Sequence, residues 1–137
     1  MAKYIVAEVS AIPPGERLIT TVAGRSIGIF NVEGEFYALR NRCPHQGASL
    51  CEGLLIGAVE SPEPGVVVEG ERRDILRCPW HGWEFRLATG ESWFDPTQVR
   101  VRRYDVEVAE GAEVPERPLV AETVSVSVEA DYLVVEL

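Results

Sequence analysis

Both histidines of this chain follow a Cys-Pro pair, and this arrangement constrains the fold more than any other feature of its 137 residues. His45 lies in Cys-Pro-His-Gln-Gly at residues 43–47, and His81 lies in Cys-Pro-Trp-His-Gly-Trp at residues 78–83. Thiolate and imidazole are ligands of zinc and of iron–sulfur centres. We therefore expect a fold that brings these two loops together around a metal.

The order of the ligands within each loop distinguishes two kinds of metal site. A structural zinc finger usually takes two cysteines from one loop and two histidines from another. Here each loop supplies one of each, as Cys43-x-His45 and Cys78-x-x-His81. Mixed pairs suit a binuclear centre in which both cysteines reach an inner metal and both histidines an outer one. The spacing favours an iron–sulfur centre, with zinc as the alternative.

The composition limits the size of the protein and the class of its partners. With 46% apolar residues, the chain suits a single domain with its own core. A formal charge of −9 argues against nucleic acid as a partner. We expect a cytoplasmic protein without membrane contact, because there is no secretory signal and no run of ~18 apolar residues. Three cysteines then favour a metal or redox site over disulfides, with Cys51 as a buried small residue.

Short apolar runs between frequent turns predict an all-β fold. Alternation such as that of Ile27 and Ile29 is typical of half-buried strands, and no long window shows helical periodicity. Residues 54–74 and 110–122 contain prolines and are predicted to be surface-loop insertions. Apolar residues occupy odd positions up to Val101 and even positions from Tyr104, and this switch of parity at Arg102-Arg103 predicts a β-bulge. The predicted turns are Pro13-Pro14-Gly15, Ala23-Gly24, Glu33-Gly34, Thr89-Gly90 and Ala130-Asp131.

The two loops and their flanks resemble the Rieske iron–sulfur family. The family pattern C-x-H followed by C-x-x-H is matched at all four proposed ligands, and the similarity continues through GEFYALRNRCPHQGASL and CPWHGWEFRLATGES. The resemblance implies one [2Fe–2S] cluster, with Cys43 and Cys78 on the buried iron and His45 and His81 on the iron nearer solvent. It also implies a single domain over residues 1–137, an antiparallel β-sandwich with a small cluster-binding subdomain.

Five further residues of the two loops are candidate cluster-binding residues. Gly47 and Gly82 match glycines that follow the histidines in the family. Gln46 either tunes the cluster or faces solvent. Trp80 and Trp83 either shield the cluster from water or serve as core aromatics.

Two departures separate this chain from the high-potential branch of the family, that of the respiratory cytochrome bc complexes. That branch places a serine and a tyrosine where this chain has Trp83 and Phe85. It also clamps its loops with a disulfide, at places occupied here by Ala48 and Trp80. Both differences favour the ferredoxin and oxygenase branch. The segment Trp93–Pro96 falls where the family has a proline-containing loop that covers the cluster.

The lack of further histidines limits the redox roles that this chain can have. The mononuclear iron of a Rieske oxygenase needs two histidines and a carboxylate, and this chain has no histidine to spare. It also has no dinucleotide fingerprint or Walker loop. We therefore expect a non-catalytic ferredoxin of a dioxygenase system, which takes electrons from a reductase and passes them to an oxygenase or a similar redox enzyme. The alternatives are a small accessory subunit of a larger oxidoreductase such as nitrite reductase, and a cluster-based redox sensor.

The missing hydroxyls predict a low reduction potential. Hydrogen bonds from hydroxyls to cluster sulfur stabilise the reduced, more negative state, and neither Trp83 nor Phe85 carries a hydroxyl. In a redox titration followed by visible absorption, we expect a midpoint near the low end of the Rieske range, ~−150 mV. A midpoint above about +100 mV would contradict this argument.

Overall fold

The computed structural model describes residues 3–44, 47–80, 82–112, 119–120, 127 and 129–137. These residues form strands and two single-turn 3-10 helices, Val9–Ala11 and Leu50–Glu52, with no α-helix among them, so the all-β prediction is confirmed. In this part of the chain, no helix has the length and apolar character that a membrane span requires. The strands are β1 Lys3–Glu8, β2 Arg17–Val22, β3 Arg25–Val32, β4 Glu35–Arg40, β5 Leu54–Ile56, β6 Val59–Glu63, β7 Val66–Glu69, β8 Ile75–Arg77, β9 Glu84–Arg86, β10 Arg103–Glu110, β11 Leu119–Val120 and β12 Asp131–Glu136.

The chain divides into two compact units, residues 1–38 with 104–137 and residues 39–103. The first unit carries most of a seven-stranded sheet in the order β11-β1-β12-β10-β4-β3-β2. Its β1–β12, β10–β12 and β2–β3 pairs are antiparallel, and β1–β11 is parallel. The second unit contains both ligand loops and corresponds to the predicted cluster-binding subdomain. That all 137 residues form one domain stays a prediction.

Two tight turns connect the central strands of the first unit. Ala23 and Gly24 have φ of 50° and 77°, and Glu33 and Gly34 have φ of 53° and 92°. A two-residue hairpin loop with positive φ at both positions is a type I′ turn, whose twist matches that of the flanking strands. The turns predicted at these two dipeptides are therefore confirmed.

Alternating apolar side chains of these strands build the core of the first unit. β3 is covered on both faces, rather than half-buried as predicted, because Phe30 on its other face is also fully buried. On one face, Ile27 and Ile29 are fully buried. Leu133 and Val135 of β12 join them on the same side. The complete cluster is Ile12, Val22, Ile27, Ile29, Ala38, Tyr104, Leu133 and Val135.

The second unit contains a three-stranded antiparallel sheet in the order β5-β8-β9 and a separate hairpin of β6 and β7. The prediction of a loop over residues 54–74 is therefore wrong, because this segment forms three strands. Val66–Val68 are β-branched residues that favour a strand, and Pro64-Gly65, with Gly65 at φ +83°, fits the centre of a type II turn. The second predicted insertion, residues 110–122, lies largely outside the described residues.

The parity switch at Arg102-Arg103 coincides with a change of hydrogen-bonding partner. Before the switch, the Val101 N–H donates to the Gly90 carbonyl at 2.8 Å. After it, β10 begins at Arg103 and pairs with β12 in a regular register from Asp105 to Glu110. The two apolar runs thus belong to different elements, and the β-bulge at Arg102-Arg103 stays a prediction.

The buried side chain of Asn31 makes two hydrogen bonds to the backbone of the first unit. This residue is 4% exposed; its Nδ2 donates to the Ile12 carbonyl at 2.7 Å and its Oδ1 accepts from the Gly34 N–H at 2.8 Å. We expect Asn31→Ala to lower the free energy of unfolding by about 2–3 kcal/mol, because it leaves two backbone groups unsatisfied. Chemical denaturation measures the loss. Gln98→Ala, which truncates an exposed amide side chain, is the control, and equal stability of the two variants would refute this role.

Candidate metal centre

The first ligand loop follows β4 and is closed by its own backbone. The Cys43 N–H donates to the Ala48 carbonyl at 2.8 Å, and the Gly47 N–H donates to the Cys43 carbonyl at 2.7 Å. Gly47 has φ +76°, a left-handed conformation that glycine adopts without steric cost. The Arg42 guanidinium lies over this glycine, because a Cβ added at Gly47 would be 3.5 Å from Nη2 of Arg42.

The second ligand loop connects β8 to β9, which are paired in antiparallel register. The Cys78 N–H donates to the Trp83 carbonyl at 2.6 Å, and Gly82 has φ +70°. At the base of the loop, Arg77 and Glu84 form an ion pair of 2.8 Å between facing positions of the two strands. The strands therefore hold both ends of the loop.

The two loops share one backbone arrangement. In each, the cysteine N–H donates to the carbonyl of the fifth residue after it, Ala48 or Trp83. In each, the glycine before that residue is left-handed. The similarity that the two Cys-Pro motifs suggest is thus a similarity of conformation, and each loop presents its cysteine from the same position.

The two loop cysteines meet in the interior of the second unit. Cys43 is 1% exposed and Cys78 is 2% exposed; both are free thiols, and they lie close enough for the Cys43 thiol to affect the ionisation of Cys78. Burial raises the pKa of the Cys78 thiol to about 11; the backbone N–H of Trp80 acts against this rise, and the Cys43 thiol adds to it. Two adjacent thiolates are therefore unfavourable here without a cation to balance their charge.

This pair of thiols fits a soft metal. A coordinated metal deprotonates a thiol outright, which removes the cost of burying two thiolates side by side. His45, Gln46 and His81 lie outside the described residues. The structure therefore brings together the cysteine half of the proposed ligand set.

Cys51 lies behind the first loop and belongs to its support. Its thiol donates to the Leu39 carbonyl at 3.7 Å, and its backbone N–H donates to Oδ1 of Asn41 at 2.8 Å. The residue is fully buried, in agreement with its prediction as a small buried residue. Sequence reasoning missed Asn41, whose contact spans ten positions and leaves no mark in the local pattern.

An aromatic segment packs beside the second loop. The Trp93 N–H donates to the Glu84 carbonyl at 2.7 Å, and the Arg86 guanidinium lies 4.5 Å from the centre of the Trp93 ring. The Trp83 and Phe94 rings meet edge to face, with centroids 5.8 Å apart. A pocket of about 340 Å³ is lined by Gly82, Trp83, Glu84, Trp93 and Phe94. Arg86 is a second supporting residue that the sequence did not reveal.

Several large side chains beside the loops face solvent. Trp80 is 54% exposed and Phe94 is 86% exposed, so neither is a core aromatic, whereas Trp83 is partly buried against Phe94. Arg40 and Arg42 are also exposed. The second unit thus presents apolar rings and cationic groups near the cysteine loops. Whether Trp80 and Trp83 shield a cluster stays a prediction.

Residues 2–105 match the Rieske [2Fe–2S] domain family, a span that includes both ligand loops. Ferredoxin CarAc of Metapseudomonas resinovorans is 32% identical over 107 residues, which cover 77% of this chain and 85% of that protein. The ferredoxin component of the naphthalene 1,2-dioxygenase system of Pseudomonas aeruginosa is 33% identical over 97 residues, which cover 71% of this chain and 78% of that protein.

A solved structure agrees with these relatives. The ferredoxin of carbazole 1,9a-dioxygenase from Nocardioides aromaticivorans IC177 superposes with a TM-score of 0.60 at 25% identity, over 80% of this chain and 91% of that one. The all-β fold, the paired cysteine loops and the sequence relatives agree with one another. On these grounds the chain is a member of the Rieske [2Fe–2S] domain family.

Proposed function

We propose that this chain is a one-electron carrier that takes electrons from a reductase and delivers them to an oxygenase or a similar redox enzyme. The observation that carries the proposal is the meeting of two buried free thiols from two matching loops. The cofactor of the Rieske family is a [2Fe–2S] cluster, and the chain has one such pair of loops. The free thiols favour a reducing compartment, and we place the protein in the cytoplasm.

Four residues are proposed as cluster ligands, with Cys43 and Cys78 on one iron and His45 and His81 on the other. When bound, the cluster supplies a centre that accepts and releases a single electron. The two loops hold the cysteines in place through their backbone hydrogen bonds and exclude water from both thiols. Since both histidines are committed, the chain keeps no imidazole for a second, substrate-oxidising iron.

The relatives support a carrier over an accessory subunit. Their names describe ferredoxin components, two of them in dioxygenase systems. The exposed Trp80 and Phe94, close to the ligand loops, offer an apolar contact for an acceptor. Carrier complexes are transient, and we expect this one to bury less than ~1,200 Å² in total.

Cysteine substitutions test the ligand assignment. We expect Cys43→Ser and Cys78→Ser to purify with less than about a tenth of the wild-type iron and acid-labile sulfide, since a serine oxygen is a poor ligand for an iron–sulfur centre. Iron analysis and visible absorption measure the loss. Cys51→Ala is the matched control, because this cysteine is equally buried but bonds the backbone of β4 instead of the other loop.

The control separates loss of a ligand from loss of the fold. Cys51→Ala should keep the wild-type iron content, with a circular dichroism spectrum like that of both serine variants. If either serine variant retained full iron and sulfide, the ligand assignment would be wrong.

A mixing experiment tests the electron transfer itself. The reduced protein is combined anaerobically with each purified redox enzyme found to be encoded next to its gene, and stopped-flow absorption follows its reoxidation. We expect the visible absorption bands of the oxidised protein to return rapidly. If the acidic charge of −9 steers the encounter, the rate falls as the salt concentration rises. If no co-encoded redox enzyme reoxidises the protein, the carrier role is excluded.

A further inference from the structure

The β6–β7 hairpin, residues 59–69, exposes an unusual number of valines. We call this segment the insertion hairpin. Val59 is 53% exposed, Val66 41%, Val67 72% and Val68 48%. Single exposed apolar residues are ordinary, but four within eleven positions form a patch of the kind found at interaction sites.

The register places these valines on both faces of the insertion hairpin. Val68 pairs with Glu60 and Val66 pairs with Glu63, so Val66 and Val68 share one face. Val67 points to the opposite face, on the side of the Val59–Glu69 pair. Each face therefore mixes valine with glutamate, since Glu60 and Glu63 lie opposite Val68 and Val66, and Glu69 lies opposite Val59. A hairpin with apolar groups on both faces suits a cleft, where both faces are covered, better than a flat surface.

Polar contacts at the base, and a turn at the tip, hold the insertion hairpin in place. The Gly70 N–H donates to the Ala58 carbonyl at 2.7 Å, and Glu69 accepts from the Gly57 N–H at 3.1 Å. A Cβ on Gly57 would collide with the Gly70 carbonyl, so the two chains approach closely there. An isolated two-stranded hairpin is only marginally stable, and the exposed valines add little to it in the free protein. Their apolar surface remains available for binding.

The insertion hairpin leaves the three-stranded sheet at the end opposite the second ligand loop. In the β5–β8 pair, Leu54 faces Arg77, the residue before Cys78, and Ile56 faces Ile75. The chain enters the hairpin just after Ile56. The hairpin therefore begins at the far end of this ladder from the cysteine.

Charge and backbone chemistry identify the occupant. Glu60, Glu63 and Glu69 lie in the insertion hairpin, and residues 59–69 contain no Lys or Arg. A second copy would oppose like charges, in a chain whose net charge is already −9. Pro62 lacks an N–H and discourages strand pairing along β6. Complementarity points to a protein with an apolar cleft rimmed by Lys or Arg.

We propose that the insertion hairpin is a second docking element, which inserts into an apolar, basic-rimmed cleft of a redox partner. The identity of that partner as the oxygenase or the reductase rests on the proposed function. The hairpin anchors the partner at one end of the ladder while the ligand loops make the contact for electron transfer. It thus acts on affinity and leaves the cluster unchanged.

Binding measurements with a β-branched isostere test this role. Val67→Thr with Val68→Thr keeps the strand propensity and replaces a methyl group by a hydroxyl on each face. Val108→Thr, at an exposed valine of β10, is the matched control. Titration calorimetry gives the Kd for each oxygenase and each reductase found to be encoded next to this gene. We expect the double variant to bind one of them about tenfold more weakly, the control to bind like wild type, and all three proteins to share one midpoint potential.

A charge variant tests the basic rim. Glu60→Gln with Glu63→Gln should weaken binding to the same partner and reduce its salt dependence. Unchanged Kd values in the valine variant, or no binding of either enzyme by wild type, would overturn the proposal. It would also fall if wild type dimerised in sedimentation and the valine variant did not, since the occupant would then be a second copy.

The outcomes separate this inference from the carrier role. If the valine variant keeps the wild-type Kd while electrons still reach the oxygenase, the hairpin proposal is wrong and the carrier role stands. If wild type binds through the hairpin but is not reoxidised, the carrier role is wrong and the docking element stands.

Discussion

A single backbone hydrogen bond in each ligand loop is the constraint on which this protein depends. The cysteine N–H donates to a carbonyl five residues later, and a left-handed glycine makes that closure possible. The loop ends are fixed by strands, β4 before the first loop and β8 and β9 around the second. Because the loops share this geometry, they bring Cys43 and Cys78 together in a dry interior.

The burial of those cysteines explains why the site suits a metal. Water is excluded from both thiols, which raises the pKa of Cys78 and makes a bare pair of thiolates unfavourable. A bound cation balances the charge of the two thiolates and makes their ionised form favourable. The folded loops already hold both cysteines in place when a metal binds. Asn41 accepts from the Cys51 N–H beside the first loop, and the Arg86 guanidinium packs on the Trp93 ring beside the second.

The second unit carries exposed apolar surfaces as well as the two buried cysteines. Exposed rings stand beside the second loop, and exposed valines stand on the insertion hairpin. A carrier must leave each partner quickly, which favours small contacts over one large interface. The two apolar surfaces that we propose for docking, one near the cysteine loops and one on the insertion hairpin, are of that modest kind.

The sequence by itself determined the class of fold and the nature of the site, because both are written in local patterns. Alternating Ile27 and Ile29, the Ala23-Gly24 and Glu33-Gly34 dipeptides and the Cys-Pro-His spacings each act within a few residues. Contacts between residues that are far apart in the sequence were decided only by the tertiary structure. The parity switch at Arg102-Arg103 coincides with a change of hydrogen-bonding partner, Leu54–Ile56 pair with β8, and Asn41 and Arg86 act through contacts beyond the reach of periodicity. Such pairings depend on which surfaces meet after the chain has folded, and no local pattern records them.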